Sequence, residues 1–168
     1  MQQWTAVTTL PASLNEGVGA CIVAYAALET AINGMIYMLL DLSDDEGRIA
    51  FKDFPLPERW RIIKDLMDLN SITTKIDFNG MDNKLDKVKK ARDALAHGVW
   101  VESGSDFAIR KMKPGARKKK PVVIIQTDTS LNKIHMNILS VYADTLAAWR
   151  MIEAAPGPSR YKYISPLR

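Results

Sequence analysis

The stretch MDNKLDKVKKARDALAHGVWVE, residues 81–102, sets the fold class. Met81, Leu85, Val88, Arg92 and Leu95 recur at steps of four and three, with Val99 one step beyond. That spacing is one face of an α-helix. Gly98 is placed to stop the helix, and VWVE then alternates as a half-buried strand does. The stretch is therefore a helix from about Met81 to His97 running into a sheet. It also raises a chemical question. Arg92 occupies an apolar position, and Asp93 and His97, one of only two histidines, lie beside it.

Outward from this stretch the pattern is mostly helical. A first helix starts at Ser13 or Asn15 and runs to about Leu42. Its stripe is Val18, Ile22, Tyr25, Ile32, Ile36 and Leu39, with Leu28, Met35 and Leu40 alongside. Glu29 falls between Tyr25 and Ile32, where a carboxylate needs a partner. Arg92, a charge on a second core stripe, is the expected one. SDDEGRIAFKDFPLP is a connection with a short helix near Gly47–Phe51. Pro57 suits the first turn of a second helix, to about Asn70, that buries Trp60, Ile63, Leu66 and Met67.

After Gly98, DFAIRKM alternates and PVVIIQT is a β-branched run. Thr129 or Ser130 then starts a last helix to about Ala154. The expected fold is mainly α, an up-and-down bundle of four to five helices with a small β hairpin or sheet inserted before the last helix. One domain spans residues 1–154, with the β insertion at about 98–127. Residues 155–168 form a tail.

The totals narrow the function classes. The chain of 168 residues, 47% hydrophobic and 25% charged, reads as an ordinary globular domain. Residues 1–82 hold 6 Lys/Arg and 12 Asp/Glu, a net of −6; residues 83–168 hold 17 and 7, a net of +10. The asymmetry points to a polyanion, nucleic acid first. From Arg110 to Lys120 there are seven basic residues in eleven. Arg117, Lys118, Lys119 and Lys120 are the expected contacts to an RNA backbone, against a simply solvated hairpin tip.

Cys21 is the single cysteine, so an intramolecular disulfide is excluded and a reducing cytoplasm is expected. One Cys and two distant His do not make a zinc set, and no cofactor is implied. MQQWTAVTTLP lacks the pattern of a secretory signal. Ala20–Leu40 is apolar enough to raise a membrane question, but Glu29 and Asn33 interrupt it and LSDDE follows. The expectation is a buried helix and no membrane partner.

Asp93 and His97 are four apart and share a helix face, and Arg92 lies nearer the core stripe. Histidine is the usual acid or base near neutral pH, and arginine matches phosphate geometry with a rigid donor fork. RNA carries its own nucleophile, the 2′-hydroxyl, so cleavage needs a base, an acid and cations. Such a site meets two difficulties. The helix C-terminus is the negative end of the macrodipole and repels phosphate. One His cannot be base and acid in one event. A two-fold dimer that brings two such helix ends together answers both.

RDALAHG resembles the R-x4-6-H signature of the HEPN domain family, with Arg92, Asp93 and His97 at the motif positions. The long first helix with ALETAI, the Gly after His97 and the insertion before a last helix also resemble that family, over roughly residues 14–154. The resemblance implies a helical, commonly dimeric domain. It further implies metal-independent ribonuclease activity of the kind found in toxin–antitoxin and other prokaryotic defence systems, with the Arg and His as catalytic pair, the polar residue assisting, and a separate antitoxin protein as partner. Some members have lost catalysis and bind RNA, nucleotides or proteins, which is the alternative expectation. A purely structural helical dimerisation domain is the third.

Overall fold

The computed structural model describes residues 3–73, 75–111 and 122–155, with Lys111, Val122 and Val123 described by backbone alone. Arg117, Lys118, Lys119 and Lys120 and residues 156–168 of the expected tail lie outside the described residues. The element order is β1 (Thr5–Ala6), α1 (Ala12–Leu40), α2 (Asp44–Phe51), α3 (Leu56–Leu69), α4 (Phe78–His97), β2 (Val99–Ser103), β3 (Asp106–Lys111), β4 (Val122–Gln126) and α5 (Asp128–Ala154). The protein is a mainly α helical bundle with a small antiparallel sheet before the last helix, as the periodicities predict.

Two compact units make up the chain: Met1–Tyr25 with Val88–Ile138, and Ala26–Lys87 with Leu139–Arg168. The three long helices α1, α4 and α5 each contribute to both.

In α1 the fully buried residues are Cys21, Leu28, Ile32, Met35 and Ile36, with Tyr25 and Leu39 nearly so. The buried stripe thus steps 21, 25, 28, 32, 35, 39. Leu28, not Glu29, fills the place between Tyr25 and Ile32, and Glu29 sits about 100° further round and half-buried. This removes the need for a buried partner that the sequence pattern suggested. By length and composition α1 is apolar enough to cross a membrane; its apolar stripe is nevertheless packed inside the protein. Cys21 is core, as expected: burial pushes its thiol pKa up, and Sγ donates to the Leu131 carbonyl at 3.5 Å.

The helix starts obey local chemistry. In α2, Ser43 and Glu46 form a reciprocal capping box. In α3, a proline at the first turn needs no amide partner. For α5, Thr127 and Ser130 exchange side-chain-to-backbone hydrogen bonds, at 3.1 and 2.8 Å, and the helix starts at Asp128, one residue before Thr129.

The sheet is a meander in the order β1-β2-β3-β4, antiparallel throughout. The short β1, which has no periodicity to announce it, pairs Thr5 with Glu102 and Ala6 with Val101. Gly104 supports the β2–β3 turn with φ +62°, a conformation glycine adopts without steric cost.

The α4–β2 junction fixes the end of α4 against the sheet. Gly98 still donates to the Ala94 carbonyl at 2.9 Å, and the chain enters β2 at the next residue. Its φ is not left-handed. Glycine is required instead by space, because a Cβ here would collide with the buried Ile109 side chain and the Ala94 carbonyl oxygen. Gly98→Ala is therefore expected to cost about 1–3 kcal/mol, measured by urea unfolding, since both obstacles are held in place.

Candidate functional site

The residues singled out in the sequence lie in the last turns of α4. Arg92 replaces an apolar residue between buried Val88 and Leu95, and its side chain is only 30% exposed. Its guanidinium carbon lies 5.1 Å from the centroid of the Tyr25 ring, which is buried in α1. An aromatic face attracts a cation and accepts its flat apolar surface. Nη1 of Arg92 donates to Asp93 Oδ1 at 3.0 Å, and Lys89 Nζ donates to Asp93 Oδ2 at 2.6 Å.

Asp93 thus has both oxygens engaged by cations of its own helix. It is the carboxylate that neutralises Arg92, in the place expected for Glu29. Its hydrogen bonds go to Lys89 and Arg92. Burial works to raise the Asp93 pKa, but the hydrogen bonds and positive charges of Lys89 and Arg92 outweigh it and hold the carboxyl below its ordinary 3.8. The depressed folded value means that the pair stabilises the fold above about pH 4, and that this contribution is lost as pH falls through the folded pKa. Because Asp93 is about a third exposed, the expected contribution is at most about 1 kcal/mol. In urea unfolding between pH 7 and pH 2.5, Asp93→Asn should flatten that part of the acid-induced stability loss.

His97 ends α4, is exposed, and makes no hydrogen bond among the described residues. Five residues from Arg92 correspond to a rise of about 7.5 Å and a turn of about 140°. The two side chains leave the helix on different faces, one over Tyr25 and the other into solvent. With Nη1 committed to Asp93, the Nε–Nη2 edge of Arg92 is the fork that remains for an oxyanion. The arrangement supplies a fixed cation and an accessible imidazole at one helix end.

Lys89 and Tyr25 were not among the expected site residues. Lys89 has a sequence signal, an opposite charge four residues before Asp93. Tyr25 reads only as a core residue, because its pairing with Arg92 joins α1 to α4. No protein-family model, curated protein or solved structure matches the chain.

Proposed function

We propose that the protein is a metal-independent endoribonuclease of the HEPN type, a toxin or defence effector acting at a composite site in a two-fold dimer. The observation that carries this reading is a preorganised arginine and an exposed, uncommitted histidine at the same helix end. In one RNA phosphodiester, one His97 would take the 2′-hydroxyl proton as the oxygen attacks phosphorus. A 2′,3′-cyclic phosphate forms and the P–O5′ bond breaks. The second His97 would protonate the departing 5′-oxygen. Arg92 would clamp the charged phosphorane through its free fork. The divergent faces of Arg92 and His97 favour two copies over one. The test is cleavage of an RNA pool in EDTA by wild type, His97→Ala and Arg92→Ala.

The specific support for the second reading, a non-catalytic module that binds RNA, a nucleotide or a protein, is the saturation of Asp93 by Lys89 and Arg92. A structural ion-pair cluster would look the same on that one carboxylate. RNA binding without cleavage in the same experiment would select it.

A further inference from the structure

The negative end of α4 is a poor place for a phosphate unless another cation stands beside it. The sheet register supplies one. Val99 pairs directly with Arg110 across β2 and β3. Val99 is two residues from His97, which places their Cα atoms at most about 7.6 Å apart. A directly opposed antiparallel pair adds about 5 Å. Arg110 is therefore anchored within about 13 Å of His97, Cα to Cα, inside the same compact unit. An arginine and an imidazole can straddle one phosphate over that span.

Three further features single Arg110 out. It is the first residue of the basic run, yet it belongs to strand β3 and not to the connection beyond it. It is exposed and has no ion-pair partner among the described residues. The residues before it in β3, Ala108 and Ile109, are buried, so its backbone is held by the core while its charge is not neutralised.

We infer that Arg110 is a second phosphate-binding residue of the site, contacting the RNA backbone next to the bond held by Arg92 and offsetting the repulsive end of α4. This rests on the ribonuclease reading for its substrate. Arg110 is a binding residue, so its loss should act on KM and leave the acid–base step intact.

The experiment uses the full chain, a labelled single-stranded RNA oligonucleotide of mixed sequence, and EDTA. It compares wild type, Arg110→Ala, Arg110→Lys and, as a control for generic charge, Lys133→Ala on α5. Arg110→Ala should raise KM about fivefold or more at moderate salt with kcat nearly unchanged, and should lower the salt slope of binding by about one. Arg110→Lys should recover most of the loss, and Lys133→Ala should match wild type. If wild type cuts and Arg110→Ala behaves as Lys133→Ala, the inference is overturned while the ribonuclease reading stands. If wild type binds without cutting, anisotropy reads the same Arg110 effect in Kd, and only the cleavage reading falls. An RNA that is neither cut nor bound overturns both.

Discussion

In the proposed ribonuclease, His97→Ala is expected to lower RNA cleavage by at least about a hundredfold while leaving the fold intact, because it would remove the proposed proton-transfer group and little else. The residue is exposed and forms no hydrogen bond among the described residues, so its truncation leaves no buried group orphaned. On the same reading Arg92→Ala should lose about as much, by removing the cation proposed to meet the transition-state charge. It will also disturb structure, since it uncovers the Tyr25 face and leaves Asp93 with Lys89 alone. Circular dichroism and unfolding midpoints must accompany its rate. Asp93→Asn should fall between wild type and Arg92→Ala, because a neutral amide still accepts from Nη1 but no longer balances two cations.

The proposed two-fold site makes a sharper demand. If both imidazoles serve one phosphate, a heterodimer of wild type and His97→Ala is inactive. After subunit exchange, activity should then fall as the square of the wild-type fraction. A linear fall would show that each chain works alone and would remove the composite mechanism, leaving a single His97 with another acid. Equal cleavage by wild type and His97→Ala in EDTA would remove His97 from the chemistry and with it the HEPN-type mechanism.

How far the sequence carries these expectations differs by level. The helices and the three longer strands are legible because amphipathic periodicity reports burial residue by residue. Trp60, Ile63 and Met67 in α3, and Met81, Leu85, Val88 and Leu95 in α4, are buried where the pattern puts them. The two-residue β1 is invisible because its pairing is made entirely by β2. Glu29 shows the limit of stripe reading. A rotation of one residue, about 100°, separates a core position from a half-exposed one, and Leu28 takes the core. At the site, the sequence identifies Arg92, Asp93 and His97 but not what holds them. The Lys89–Asp93 bond is local and readable from spacing. The Tyr25–Arg92 contact and the Val99–Arg110 register depend on which element meets which, and periodicity carries no information about that. Gly98 is readable as a helix stop, but its reason is the approach of Ile109 from β3.

Trp60→Ala should cost about 3–5 kcal/mol, a large share of the stability of a domain this size, whereas Trp60→Phe should stay within about 1.5 kcal/mol of wild type. The indole is fully buried in α3 and meets the Phe78 ring at the start of α4, centroid to centroid 5.1 Å. Alanine would leave most of that volume empty. Phenylalanine keeps an aromatic partner for Phe78 and loses only part of the ring. The polar group argues in the same direction. Trp60 Nε1 is buried without an acceptor among the described residues, so deleting its N–H sacrifices no hydrogen bond and relieves an unsatisfied donor. Urea unfolding of the two variants separates the volume effect from the N–H effect. If Trp60→Phe proves as costly as Trp60→Ala, the indole N–H has an acceptor in solution and the packing argument is wrong. If the predicted order holds, ring packing against Trp60 is a main anchor for the start of the helix that carries Arg92 and His97, beside the Arg61–Asp82 ion pair and the buried Met81.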